Sequence, residues 1–589
     1  MGNEFINYLN SMNNATSGNI NALAESQVTN KYYNYIRVDR KLGEFIVNKI
    51  NTNEKRCYIL TGHAGDGKTS LLVQVLKSLN LLPEGERLKV VDTVSNELCT
   101  LKYVKDMSEL PEENQIKLLK ECLEAPKNGM SSILITNTGP LIKSFSILFG
   151  ENNDKKIDQI ENILLKQLDE NSIEQLEINE SKFNLINIAR IENLSFARKV
   201  IEKICSEDLW CKCKECINGS KCPIYFNKIC VSDNKERVID FVETFYRWLQ
   251  ENDKRITIRQ MIAQISFAFT GNIKCESISK FDSRLYNSFN YNFANLFFGY
   301  KGIQEISEAK QIKGIELIQD MKIDSVSLKE DYNIFVKGDF SYLKADIRRI
   351  VESLWNEFSK EVFIGDDCDS KYIDKQNEIR KSVRRFILVF GLSDQEDGLS
   401  ELYNQIYGKV FSMYKSATTE KHTPRKLRLI SKMIYEALYI KNIGVPPIDE
   451  DTLYLTLTRY DGDFQKVFLL LGKSKERNLV VNQIVRNVEI EDIDGGYKLI
   501  LQICKEEGMV NEKINLSLPL LMYFYSIVNG EISTEINPSL SHGLAELNAK
   551  LLKVFRFKEK EKQLSLIVNT VSGAKEIKIE FEDNKMFVL

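Results

Sequence analysis

Apolar positions change their spacing along this chain. From Cys57 to Phe245 short apolar runs alternate with segments of helical spacing, the pattern of a mostly parallel sheet covered by helices. The runs are Cys57–Thr61, Leu88–Asp92, Leu101–Asp106, Ser132–Thr136 and Leu185–Ile188, which suit a five-stranded core. Ahead of them, residues 1–55 read as polar and helical, with Tyr32, Tyr33, Tyr35 and Ile36 leading into a helix from about Asp39 to Asn51. Between Cys205 and Cys230 the alternation stops, and a Cys-rich loop is expected that is too irregular to bury much apolar surface. From Ile258 to about Ile500 the spacing is largely helical, as in Ile379, Val383, Phe386, Ile387 and Phe390 along one face. The tail from Leu564 (LSLIVN, EIKIEFE, MFVL) alternates with period two around SGA and EDN turns, predicting a small β-meander.

These shifts divide the chain into a helical lead-in (1–55), an α/β core (56–204), a Cys-rich insertion (205–230), a helical lid (231–335), a helical domain (336–500) and a C-terminal helical segment with its meander (501–589). A length of 589 residues requires several packed units. With 43% hydrophobic and 28% charged residues, and few Pro or Gly, the chain is expected to fold throughout. Its net charge of -3 creates no global basic field, so DNA contact would need a local patch or a partner. The basic segments RKSVRR (380–385) and KHTPRKLR (421–428) are candidate phosphate contacts, although such runs are also ordinary solvated helix faces. Met1 to Ile20 lacks the layout of a secretory signal, and the longest apolar stretch, Leu516 to Val528, is too short to span a bilayer. A cytoplasmic protein without a membrane segment is expected.

The strongest chemical signal lies in CYILTGHAGDGKTSLLVQVL, where an apolar strand runs through GHAGDGKT into a helix carrying Leu71, Leu72, Val75 and Leu76. This is the strand–loop–helix setting that a Walker A phosphate-binding loop requires. Glycines let the loop curl so that successive backbone N–H groups face a β-phosphate beside the positive end of the helix. The nucleotide-binding set is Gly62, His63, Ala64, Gly65, Asp66, Gly67, Lys68, Thr69 and Ser70, with Lys68 neutralising β/γ-phosphate charge and Thr69 ligating Mg²⁺. Hydrolysis also needs an acid at a neighbouring strand end. Asp106, ending LKYVKD, and Asp92, ending LKVVD, both qualify. Asp106 is preferred because the next strand, SILITN, then sets Asn137 where it can sense the γ-phosphate.

GHAGDGKTSLL, the ITNTGPL strand end, the Cys cluster finishing in CPIYFN, and RITIRQMIAQISFAFTG together resemble the DptF family, AAA-like P-loop ATPases of DNA phosphorothioation-dependent restriction, an anti-phage defence of bacteria. The likeness covers roughly the first half of the chain. Thr138 stands where relatives are expected to carry an acid, so no catalytic role is carried over to it. The resemblance implies an ATPase acting with companion restriction subunits of the DptFGH type on DNA that lacks phosphorothioate marks. It also places Arg259, in RITIRQ, as a lid arginine reaching the nucleotide. Arg190 and the pair Arg384/Arg385 are candidates for an arginine acting in trans in a homo-oligomer. A competing reading is a nucleotide-dependent oligomerising switch without motor activity, which DNA-independent turnover would favour.

Cys211, Cys213, Cys216 and Cys222 fall within twelve residues, flanked by Cys205 and Cys230. Cys213-x2-Cys216 is a turn that lets two thiolates meet one tetrahedral Zn²⁺, with Cys222 and one of Cys211, Cys205 or Cys230 to complete it; an iron–sulfur cluster takes the same ligands. With three His in the chain, no His-based metal site or hydrolytic triad is expected, and no nuclease constellation is found.

Overall fold

The computed structural model describes residues 2–13, 30–83, 86–150, 153–170, 173–281, 284–362, 370–392, 398–448, 451–457, 467–486, 490, 496–506, 508–531, 538–557, 563–570, 573–582 and 585–588. Parts of the lead-in (14–29) and of the SGA and EDN turns lie outside them. The chain forms two compact units, the first built mainly from residues 1–247 and 256–399, the second mainly from 400–486 and 494–589.

In the first unit, helix α1 (Glu4–Met12) precedes α2 (Lys41–Asn51), and then the sheet begins. Its strands are β1 (Cys57–Thr61), β2 (Val91–Ser95), β3 (Thr100–Val104), β4 (Ser131–Ile135), β5 (Leu176–Ile178) and β6 (Ser181–Asn187), in the order β2-β3-β4-β1-β6-β5. The central strands β3, β4, β1 and β6 run parallel, while β2 and β5 are antiparallel edges. The expected sheet is therefore present with one more strand, β5, and with β2 displaced toward Ser95. The short LEI run of β5 carries too little apolar signal to stand out in the sequence.

Helices α3 (Lys68–Ser78), α4 (Glu112–Glu124), α5 (Thr138–Phe149) and α6 (Asp154–Glu170) cover this sheet. Alternate residues of β1 enter different layers: Tyr58 and Leu60 pack with α2 and α3, through Ile46, Leu72 and Val75. Cys57 and Ile59 pack on the other face with Leu119 of α4, Phe145 of α5 and Leu164 of α6. A strand apolar on both faces is what a sheet sandwiched by helices demands. The parallel strands place their following loops along one edge, where β1 lies between β4 and β6.

The segment 205–230 departs from expectation. It is mostly helical turns followed by α7 (Pro223–Asp233), and it buries Trp210 against α1. Trp210 is fully buried, donates its indole N–H to the Ile204 carbonyl at 2.7 Å and meets Phe5 of α1 edge-on at 5.8 Å. Leu209, Ile224 and Val231 are buried beside it in sequence, so packing of α1 supplies burial that spacing alone could not disclose. Helix α8 (Ile258–Thr270) packs against α1 and α7, and α9 (Ser370–Phe390) completes the helical part of this unit.

In the second unit, the helical stretch expected to run to about Ile500 ends at Ile443, and helices resume only at Leu518–Val528 and Pro538–Phe555. Strands Thr452–Thr456, Val467–Lys475, Leu479–Val485 and Tyr497–Glu506 follow Ile443, mixed apolar–polar runs in a stretch whose spacing predicts helix. The C-terminal meander forms from Gln563–Thr570, Gly573–Glu582 and Lys585–Val588, and joins two of those strands in a five-stranded sheet. Among the described residues no helix is long and apolar enough to cross a membrane.

Candidate functional site

The loop from β1 to α3 takes backbone conformations suited to glycine. Gly62, Gly65 and Gly67 have φ of 151°, 91° and 82°, and Gly67 is the N-cap of α3. The loop is held from inside by Asp66, fully buried, whose carboxylate accepts the His63 N–H at 2.8 Å. From below it is held by Arg40, whose guanidinium donates to the Asp66 carbonyl at 3.1 Å. Gln74 fixes Arg40 in turn through two 2.9 Å bonds with its backbone. Nothing in the sequence pattern singled out Arg40 or Gln74.

Lys68 opens α3 and folds its ammonium back over the loop. It donates to the carbonyls of Gly62 and His63 and, at 3.1 Å, to Oδ1 of Asn137. Burial pushes the Lys68 ammonium below its usual range, while the carboxylates of Asp106 and Asp66 pull the other way. Asn137 caps α5 directly after β4, and its N–H donates to Ser108 Oγ at 2.8 Å. Ser108 in turn donates its N–H to Asp106 at 2.9 Å and lies 3.3 Å from the Thr136 hydroxyl. The loops after β1, β3 and β4 are thus joined into one constellation containing Lys68, Asp106 and Asn137. Ser108 belongs to it as well, a residue for which the sequence offered no signal.

The two acids differ in setting. Asp92 lies on the edge strand β2, paired with Lys89 at 3.0 Å. With strands about 4.8 Å apart, β2 stands roughly 14 Å from β1, three places across the sheet. Asp106 follows β3 and is joined to the Lys68 end of the site through Ser108 and Asn137. Thr69 and Ser70 occupy the first turn of α3, with His63 and Ala64 exposed at the loop crest.

A second helix end closes the site. Thr257 caps α8 through a reciprocal capping box with Gln260, and a Cβ placed on Gly65 would come within 2.9 Å of the Thr257 hydroxyl. The Arg259 N–H reaches the Gly65 carbonyl at 3.5 Å. Its half-buried guanidinium makes no hydrogen bond or ion pair among the described residues, and burial lowers its pKa. The glycine loop, the N-termini of α3 and α8 and the Lys68 ammonium are brought together with the carboxylates of Asp66 and Asp106 nearby, a combination suited to a phosphorylated anion with a divalent cation.

Other candidates fall elsewhere. Arg190 is at the surface and pairs with Asp169 at 2.7 Å. Arg384 and Arg385 are structural: Arg384 forks onto Asp331, and Arg385, with no exposed surface, pairs with Asp324 at 2.7 Å and stacks on Tyr300. A side chain so enclosed cannot reach a neighbouring subunit, and the 380–385 run is not a free basic face. In the 421–428 run, Lys421, Arg425, Lys426 and Arg428 are exposed. Of the thiols, Cys211 is exposed and lies against the Glu207 carbonyl, Cys216 is exposed, and Cys213 and Cys222 are buried. Among the described residues no three His, Cys, Asp or Glu side chains stand close enough together to grip a metal ion as arranged. Comparison with known families, curated proteins and solved structures returns no match for this chain.

Proposed function

We propose that the chain binds ATP with Mg²⁺ on the Gly62–Ser70 loop and hydrolyses it. The observation that carries this reading is the convergence of Lys68, Asp106 and Asn137 from three strand ends beside the N-terminus of α3. In this reading the loop N–H groups cradle the β-phosphate, and Lys68 exchanges its carbonyl partners for β/γ-phosphate oxygens. Thr69 and Asp106 would hold Mg²⁺ and its shell, and the ion would supply neutralisation of phosphate charge. Asn137 orients the γ-phosphate or the attacking water, and Arg259 offers its cation to the charge that develops on transfer.

The wider role rests on the resemblance to DptF-type proteins. We place the chain as the ATPase subunit of a phosphorothioation-dependent restriction complex, coupling nucleotide state to action on unmodified DNA through companion subunits. Support comes from the ordered motifs and from the absence of a nuclease constellation in a chain of net charge -3. The test is twofold. ATP turnover by the purified chain should fall to background in Lys68→Ala with the fold retained by circular dichroism; unchanged turnover removes the enzymatic reading. Restriction in cells should require the companion subunits, spare phosphorothioated DNA and vanish with Lys68→Ala. Full restriction by this chain alone, or equal attack on both DNAs, removes the complex.

A further inference from the structure

Two helices of the second unit, α10 (Lys409–Thr419) and α11 (Pro424–Ile443), are joined by a short turn, and the stretch 409–432 carries seven Lys or Arg against one acid, Glu420, in a chain whose net charge is -3. Packing gathers this charge on one side of α11. Leu427, Ile430, Ile434 and Leu438 are buried. Arg425, Arg428, Leu429 and Lys432, spaced by three and four residues, fall on the opposite side, and all four are exposed. Lys421 and Lys426, also exposed, extend the stripe at its N-terminal end. Exposed cations on other helices find carboxylates, as Lys143 does with Glu112 and Arg198 with Glu236. Lys421, Arg425, Lys426 and Arg428 form no ion pair or side-chain hydrogen bond among the described residues, while Lys432 lies 3.7 Å from Glu436 and Glu420 accepts from the Ser416 hydroxyl at 3.4 Å. The turn itself is pinned. Gln483, from the strand Leu479–Val485, accepts the His422 N–H at 2.8 Å and donates to the carbonyls of Ala417 and Glu420, each at 2.7 Å. Thr423 then caps α11 by accepting the Lys426 N–H. The four cations thus stand on an ordered scaffold, which lowers the ordering cost of binding an extended anion.

We propose that this face of α11, with Lys421, Arg425, Lys426 and Arg428, docks on the phosphate backbone of duplex DNA. Charge complementarity carries the assignment. Duplex DNA presents one negative charge per roughly 1.7 Å of its axis, and the stripe from Arg425 to Lys432 runs for about 10 Å at the rise of an α-helix. A bilayer surface would call for an apolar stripe to insert, whereas Leu429 is the one large apolar side chain exposed on α11. The choice of DNA among polyanions rests on the role proposed above, and the contact adds that this chain grips DNA itself as well as through companion subunits. Contacts to phosphate position a protein without reading sequence, so this face holds any duplex, and the discrimination of marked from unmarked DNA lies elsewhere.

The test is a salt titration of the full chain on a short fluorescein-labelled DNA duplex of arbitrary sequence. Between about 50 and 200 mM salt the wild-type affinity should fall roughly a hundredfold, as expected for about four phosphate contacts. The triple variant Arg425→Ala, Lys426→Ala, Arg428→Ala should bind about tenfold more weakly at low salt, with the salt dependence cut by about three-quarters. Its circular dichroism and ATP turnover should stay those of the wild type, since the side chains are exposed and Ala is favourable in a helix. Lys117→Ala, Lys120→Ala, Lys127→Ala removes the same charge from exposed positions of the first unit and should leave the salt dependence nearly unchanged. No binding by the wild type at low salt, an unaffected triple variant, an equal loss in the first-unit control, or tighter binding to duplex RNA or to phosphatidylserine vesicles would overturn the proposal. ATP turnover in a wild-type chain that does not bind DNA removes this contact alone, whereas DNA binding on this face without ATP turnover removes the enzymatic reading and leaves the contact standing.

Discussion

The contact between the glycine loop and α8 makes a quantitative prediction. Gly65 combines φ of 91° with an approach of 2.9 Å between its virtual Cβ and the hydroxyl of Thr257, the residue that caps α8. Gly65→Ala therefore meets two penalties. The left-handed conformation costs an L-residue about 1–2 kcal/mol. The clash must then displace Thr257, and losing its cap costs about 1 kcal/mol more. Gly129 provides the control, since its φ of 76° is similar while a Cβ there meets nothing within 4 Å. Gly129→Ala should thus show the conformational cost alone, about 1–2 kcal/mol. The assay is native-state hydrogen exchange on the amides of the first turns of α3 and α8. Gly65→Ala should lower the opening free energy in both helices, whereas Gly129→Ala should not uncouple them. Adding Thr257→Ala to Gly65→Ala should recover about 1 kcal/mol relative to additivity, because the contact at 2.9 Å goes with the hydroxyl and leaves only the Cβ of residue 257, at 3.2 Å, against the methyl. Equal effects of the two glycine substitutions, or a double mutant that is merely additive, would refute the argument that the loop and α8 bear on each other at this point.

The remaining predictions concern charge. Asp106→Asn should preserve ATP binding and slow turnover far more than Asp92→Asn, measured by phosphate release; the reverse ranking would move the Mg²⁺-holding role to the edge strand. Arg385→Ala should destabilise the first unit by about 3–5 kcal/mol, since Asp324 loses its buried partner, while leaving the ATP dissociation constant within about twofold in the folded protein. Lys68 should take up a proton fraction on binding ATP at alkaline pH. Its pKa is lowered by burial in the free protein and rises beside phosphate, so affinity is greatest below the free-state pKa and declines as pH rises toward the bound-state value. Calorimetry in buffers of different ionisation enthalpy should show this uptake, and Lys68→Met should abolish it.

By itself, the sequence determined the local elements whose signal is local. The run CYILT, the glycines of GHAGDGKT and the apolar face of the following helix specify β1, the curled loop and α3, because strand burial, positive φ and helix amphipathicity each leave a mark within a few residues. The terminal meander was legible for the same reason, its two-residue period being regular. Less regular strands such as Val467–Lys475 were not, and they passed for helix. Tertiary structure alone decided which side chains meet. Sheet order sets the surroundings of the two acids, since the loop after β3, with Asp106, bonds to that after β4, whereas Asp92 lies on the edge strand β2 and pairs with Lys89. Arg385 looked like part of a basic surface run until its helix turned it onto Asp324 and Tyr300. Partners distant in sequence are chosen by the packing of whole elements, and the residues that bring them together, Arg40 and Ser108, carry no periodicity by which they could be read beforehand.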